Sequence, residues 1–359
     1  MRLAQPHGDS CGPGADAGGK TQRQIMTIDS SQLTVLLQGP LCEGDVDIAG
    51  RAIASIRAHL PRAQIVLSTT DMGPTPEHAG MVAVADGSAS RFDDVNGNAN
   101  NVNKLISTMV NGLALAEREY CLKLRTDHVV QGDRILALLG NAPKAKLFGE
   151  RVSVSNLFLR NPTRLSYLFH LTDTLQFGRT DDLRKLWSIG ELQADFVYLK
   201  HGPRINPIGN FQGYTSFRLL PEQAIFLRFA QSNGLDLDLP HISYTSFALF
   251  SAWEDLLVDN FDVHDWHSLA ILPPKRFLSR PYAPETIMTA AEQRTLRSRR
   301  APRQKALRYA HLLANKYLFC WLHRRWLVSV ASLLLFSLSS DLAIDARKFY
   351  RRLTEASRV

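Results

Sequence analysis

An arginine, a hydroxyl and a carboxylate close one apolar run of this chain, and together they could handle a phosphate. Tyr120-Cys121-Leu122-Lys123-Leu124-Arg125-Thr126-Asp127 follows directly on a helix-patterned segment and reads as a buried strand that ends in an acid. In open α/β sheets, ligands bind just outside the carboxyl ends of the strands. A carboxylate at that place can hold Mg²⁺ or Mn²⁺ against phosphate oxygens, where the ion acts as a Lewis acid. An arginine there can meet a phosphate bidentately. Asp127 is therefore the expected metal ligand and Arg125 the expected phosphate partner. The structural alternative for Asp127 is a turn cap.

Other residues could complete such a site. Asn101 and Asn103 stand at the start of the preceding helix, able to reach a base or ribose, or simply to cap the helix. Lys104 lies in that helix's first turn, where a cation opposes the macrodipole, so a phosphate partner is expected. Gln38, Gly39 and Pro40 close the first strand and are placed beneath a nucleotide, with Gly39 and Pro40 shaping backbone. A reacting hydroxyl needs a general base within hydrogen-bond reach. Glu222, at a helix start, and Asp173, before Phe177-Gly178, are the candidates; a first-turn acid and a turn Asp are the plain readings. His241, His264 and His267 are further possible metal ligands, each more simply a satisfied or exposed histidine.

The elements that position these residues follow a parallel-sheet pattern. Leu33–Gln38 is a short apolar run closed by Gly39-Pro40. Asp47 caps a helix carrying Ile48, Ile53 and Ile56, and strands at 63–68 and 81–84 follow. An Asn-rich loop leads to a helix with Ile106, Met109, Val110, Leu113 and Ala116 at the spacing of a buried stripe. That helix delivers the chain to Tyr120–Leu124. Continuous apolar strands fit a sheet covered on both faces. Strand material is expected at 168–172 and 175–177, a helix at 180–187, and another opened by Pro221-Glu222. No Gly-rich phosphate loop follows the first strand, so dinucleotide and P-loop readings are poor.

With 45% hydrophobic and 21% charged residues, the 359-residue chain has the make-up of a globular protein with a sizeable core. Its net charge of +8 is uneven: residues 298–359 hold 13 Lys/Arg against 3 Asp/Glu, and residues 1–297 hold 29 against 31. A nucleic-acid-binding core would spread its cations over its own face. The basic segment instead predicts a helical C-terminal region, 291–359, that meets an anionic membrane surface. Within it, the apolar stretch 326–338 is too short to span a bilayer and suits an interfacial helix or a packed one. Cys11, Cys42, Cys121 and Cys320 form no CxxC pair, which predicts a reducing, cytoplasmic environment. Residues 1–30 are expected to be a disordered extension, with Met26 an alternative start.

The ordered motifs resemble one family. Gln38-Gly39-Pro40, Ser55-Ile56-Arg57, Pro61, Ile65–Thr69, Asn101–Thr108, Gly112-Leu113 and Leu122–Asp127 are similar to the WavE lipopolysaccharide synthesis family. Asp173, Phe177-Gly178, Asp181, Leu183, Trp187 and Glu222-Gln223 continue the likeness. The resemblance implies a GT-A-like (Rossmann-like) glycosyltransferase domain over 31–290. Its partners would be a nucleotide-sugar donor and a lipopolysaccharide or other surface-glycan acceptor, at the inner face of a membrane. Two departures stand out. Asn103-Lys104-Leu105-Ile106 replaces the family's Asn-Arg-Gln-Ile, and Asp86-Gly87 is a reduced form of its Asp-Pro-Gly. Arg125 also occupies the first acidic position of the Asp-x-Asp pattern usual for GT-A metal sites. Two other functions stay open, a sugar nucleotidyltransferase and a non-catalytic scaffold in glycan assembly.

Overall fold

The computed structural model describes residues 27–85, 89–95, 97–202, 204–206, 213–279, 284–319, 322, 330–331 and 334–356. Seven strands build the central sheet: β1 Leu33–Gln38, β2 Gln64–Thr69, β3 Met81–Val84, β4 Tyr120–Arg125, β5 Val152–Ser155, β6 Leu175–Arg179 and β7 Phe261–His264. Their order is β7-β5-β6-β4-β1-β2-β3. Val35 lies opposite Ile65 of β2 on one side and Leu122 of β4 on the other, both in parallel register. β2 and β3 are parallel, as are β5 and β7. Only β6 runs antiparallel, between β4 and β5. The fold is mixed α/β with a large, mostly parallel sheet, compatible with a Rossmann-like arrangement.

Burial on both faces explains the unbroken apolar runs. All six residues of β1 are buried. Leu36 faces Ile106 and Met109 of α2 (Val102–Ala114), while Val35 and Leu37 face Ile53 and Ile56 of α1 (Ile48–His59). Asp47 caps α1 by accepting from the Gly50 amide at 2.7 Å. Gly112 lets α2 lie close on the sheet, because a Cβ there would come 2.4 Å from Leu36 Cδ1.

Helices α3 (Thr180–Trp187) and α4 (Pro221–Ser232) form where expected. Leu168–Thr172 does not form a strand. Phe169 takes a left-handed φ of 56°, which ends any extended run. β5 and β7 were not anticipated from the sequence. Each is four residues long and carries polar residues in alternation, Ser153 and Ser155 in one, Asp262 and His264 in the other.

The basic region past residue 290 begins with α6 (Ala290–Ser298) and α7 (Pro302–Tyr317), which dock on α5 (Phe247–Asn260). Arg308 clasps Glu254 bidentately, 2.7 Å to each oxygen. Lys305 reaches Asp255 at 2.6 Å, Arg300 pairs with Asp255 and Asp259, and Leu312 is buried beneath. Three of the C-terminal cations, Arg300, Lys305 and Arg308, therefore answer acids of α5. A further helix, α8, spans Ser340–Ala356. The extension expected at 1–30 is described only from residue 27, where Ile28 is buried and Asp29 caps a turn over Ser30–Gln32. Asp86-Gly87 and, in part, the apolar stretch 326–338 lie outside the described residues.

Candidate active site at the carboxyl end of the central strands

β2 and β3 extend the sheet to one side of β1, and β4 lies on the other, so the carboxyl ends of β1 and β4 flank a topological switch point. The two strand ends are knitted together there. The Thr126 amide donates to Gln38 O at 3.1 Å, and Gly39 N donates to Ser68 O at 3.1 Å. Gly39 has φ +143°, and a Cβ on it would stand 2.6 Å from Thr126 Oγ1, so only glycine admits this approach.

Asp127 follows immediately, with its side chain 3% exposed. Oδ1 accepts from Arg125 Nε at 3.2 Å and His128 Nδ1 at 2.9 Å; Oδ2 accepts from Arg125 Nη2 at 3.0 Å and from Arg276 Nη2. Burial alone would raise this carboxyl's pKa. The His128 hydrogen bond and the Arg125 guanidinium override it and hold Asp127 well below the usual carboxylate range. Arg276 comes from a short turn, Lys275–Leu278, and pairs also with Glu43. Both guanidinium groups lie over Phe277, at 5.3 Å for Arg125 and 5.2 Å for Arg276. His128 is buried, which lowers its pKa despite Asp127 and keeps the imidazole neutral. With Nδ1 donating to Asp127, its buried Nε2 is left as a lone pair with no hydrogen-bond partner among the described residues.

A second polar cluster adjoins the first. Lys123 is fully buried within β4 and donates to the backbone oxygen of Asp173, whose carboxylate lies 4.0 Å from the amine. Burial pushes this amine down to about 8, against the pull of Asp173. Arg125, Asp127 and Glu222 act on it as well, so one buried cation lies in the field of both clusters. Glu222 opens α4 with its side chain 18% exposed and stands 3.7 Å from His170 Nε2. Burial, and then the like charge of Asp173, push Glu222 up to about 7. Burial and Arg160 push His170 down to about 3, so it stands as a neutral imidazole.

Among the described residues, three other than glycine have left-handed backbones, and all flank this region. Phe158 packs edge-on against Phe277 at 5.0 Å. Phe169 immediately precedes His170. The carbonyl of Ala270 accepts from the amide of Gln131, close after Asp127. Such strain is concentrated at functional sites in folded proteins.

The expected site residues thus divide. Arg125, Asp127, Asp173 and Glu222 share one region, and Gly39 shapes it, with Pro40 exposed beyond. The amide of Gln38 is committed to Leu105 O (2.9 Å) and Thr108 Oγ1 (2.6 Å), tying β1 to α2. Asn103 is likewise spent on both backbone groups of Leu192 and on Glu191. Asn101 makes no capping bond; Asn100 does it instead, accepting from Val102 N at 3.1 Å. Lys104 is half-buried and forms no ion pair among the described residues. The sequence reading missed Arg276, His128, His170, Arg160 and Lys123. Only Lys123 could have been found, as a lone cation inside an apolar strand.

The residues present do not fit a resident divalent metal. All four acceptor positions of Asp127 are filled by protein donors, three of them on the guanidinium groups of Arg125 and Arg276. Among the described residues no three His, Cys, Asp or Glu side chains are grouped to hold an ion. His264 bonds Ser153 at 3.1 Å and His241 bonds Ser243 at 3.2 Å, each within its own local setting.

No curated protein matches the chain. The family model described as WavE lipopolysaccharide synthesis matches residues 33–343, from the first residue of β1 to the early turns of α8. The chain belongs to the WavE lipopolysaccharide synthesis family.

Proposed function

We propose that the protein is a GT-A-like glycosyltransferase that moves a sugar from a nucleotide-diphosphate donor to a lipopolysaccharide or other surface-glycan acceptor. The observation that carries this reading is the placement of Glu222, a half-buried carboxylate, beside Lys123 and the Arg125–Asp127–Arg276 cluster at the switch point. A carboxylate whose pKa is raised to about 7 is matched to proton abstraction near neutral pH. The acceptor hydroxyl gives its proton to Glu222 as its oxygen bonds to the anomeric carbon. The bond from that carbon to the β-phosphate oxygen breaks, and its electron pair leaves on the nucleoside diphosphate. Asp173, held by Lys123, keeps Glu222 basic by like-charge repulsion.

The C-terminal segment supports a lipid-borne acceptor on an anionic membrane surface. Leu318, Leu322, Leu338 and Phe349 are 61%, 64%, 80% and 63% exposed, with Lys348 and Arg352 nearby. Among the described residues no helix is long and apolar enough to cross a membrane. This reading places the enzyme at the cytoplasmic face of the inner membrane. Binding to vesicles with and without anionic lipid, compared for the full chain and a chain ending at Tyr317, tests it. Equal binding by both chains would contradict it.

The saturated carboxylate of Asp127 is the observation that favours the other reading, a scaffold without catalysis. Donor turnover separates the two. Glu222→Gln should abolish acceptor-dependent release of nucleoside diphosphate while leaving donor binding intact. A protein that binds no sugar nucleotide at millimolar concentration is the scaffold.

A further inference from the structure

We infer that the turn Asp265-Trp266-His267 is a saccharide subsite, where the apolar face of an acceptor sugar packs on Trp266 and its hydroxyls meet Trp266 Nε1 and Asp265 Oδ2. This rests on the transferase reading and adds where the acceptor glycan is held.

The turn belongs to the sheet edge that carries the candidate active site. β4, β5 and β7 point their carboxyl ends to this edge, and antiparallel β6 begins there, just after Asp173. β7 ends at His264, and Asp265 leads into a short 3₁₀ turn over Trp266–Ser268. The chain then returns along the edge. Leu269 is fully buried, and Ile271–Leu272 pair antiparallel with Val129–Val130, just past Asp127.

The contacts that fix the turn leave its recognition groups unspent. Trp266 N donates to Asn156 Oδ1 at 3.0 Å. Asp265 Oδ1 accepts from Asn156 Nδ2 at 2.8 Å and from the Ala290 amide at 3.1 Å. These bonds use the backbone of Trp266 and one oxygen of Asp265. Trp266 Nε1 and Asp265 Oδ2 have no hydrogen-bond partner among the described residues. Both side chains are half-buried, and the exposed His267 ring meets the indole edge-on at 5.9 Å. A flat apolar face, an N–H donor and a carboxylate acceptor on successive residues match a pyranose, which shows C–H bonds on its face and hydroxyls around its rim.

Position decides which sugar lies there. β7 is two strands from β6, so the turn stands about 10 Å along the edge from the Asp173 end of that strand. The ring whose hydroxyl meets Glu222 does not also cover Trp266. The ring on Trp266 is a neighbouring unit of the same glycan, and the acceptor is accordingly an oligosaccharide.

The test uses the full chain, titrated by calorimetry with the free oligosaccharide of a lipopolysaccharide core and with methyl glycosides of its single sugars. The oligosaccharide should bind about tenfold or more tightly than any methyl glycoside. Trp266→Ala should weaken it about ten- to a hundredfold, the range of one lost aromatic stack. Trp266→Phe, which keeps a ring without the N–H, and Asp265→Asn, which keeps Oδ1, should each weaken it severalfold. The donor KM and the unliganded melting midpoint should hold, whereas a turn that only supported the fold would move both. If Trp266→Ala fails to fold, Trp266→Phe decides. Oligosaccharide binding indifferent to Trp266, a single sugar bound as tightly as the oligosaccharide, or no binding at all overturns the inference. Turnover with the core acceptor that is unchanged in the Trp266 variants would overturn it and keep the transferase. Trp266-dependent binding without any turnover would do the reverse.

Discussion

Arg276 donates to the Asp127 carboxylate across 149 residues of chain, from a turn that follows the last strand of the sheet. The contact joins the acid that ends β4 to a segment the sequence offers no reason to place there. It also changes what that acid can do. An aspartate at a strand end is open to a metal, whereas one clasped by two arginines and a histidine is a fixed counter-ion.

Asp127→Asn should therefore act first on stability. Breaking a buried ion pair costs about 3–5 kcal/mol, and partial exposure of both arginines reduces this to about 2 kcal/mol. The native pKa of Asp127 is depressed, so its contribution is present above the ordinary carboxylate pKa of about 4 and fades as pH falls through the lower native value. Urea denaturation at pH 7 and at pH 3 should show the gap between the two proteins narrowing in acid. A constant gap would show that Asp127 does not hold the cluster by charge.

Glu222→Gln should lower kcat by about 10²–10⁴, the usual worth of a general base, without weakening nucleoside diphosphate binding. In the unaltered enzyme, kcat should rise with pH through about 7. Stability gives a second readout. A carboxyl with a raised native pKa contributes stability below its ordinary value of 4.5 that is lost as pH rises through about 7. The Gln variant should therefore be the more stable protein at pH 8, with the difference vanishing near pH 4 as followed by urea midpoints.

Lys123→Met separates electrostatics from packing. An apolar side chain of similar length keeps the packing of this fully buried position but orphans the Asp173 carbonyl, which should cost about 1–3 kcal/mol in urea. Loss of the cation makes Glu222 hold its proton more tightly, so the rising limb of kcat should move about one pH unit to the alkaline side. An unmoved limb would remove Lys123 from the site.

Arg308→Ala should destabilise the protein by about 3 kcal/mol in urea, because Glu254, its side chain 5% exposed, would lose its bidentate partner. Exchange of both residues for apolar ones should recover most of the loss. Neutral behaviour of Arg308→Ala would mean that α7 contributes little to the fold.

Sequence patterning was enough for β1 to β4, α1 and α2, because strands covered on both faces and helices with a buried stripe leave strong periodicities. It also singled out Asp127, Asp173 and Glu222, whose charges all act on the buried Lys123. It failed at Arg276, whose role depends on a tertiary turn, and at Gln38 and Asn103, whose amides look available in sequence but tie elements together. Their neighbours Thr108 and Leu192, 70 and 89 residues distant, decide that. In the basic region, Arg300 and Lys305 pair with acids of α5, partners that no local pattern in the sequence reveals.

The central claim is the transfer itself, and one assay meets it most directly. Nucleoside diphosphate release is followed from UDP-, GDP- and dTDP-sugars, with and without a lipopolysaccharide core acceptor, for the full chain and for Glu222→Gln. The account predicts release from one donor, dependent on acceptor and absent in the variant. Release from no donor, or release that survives loss of Glu222, would contradict it.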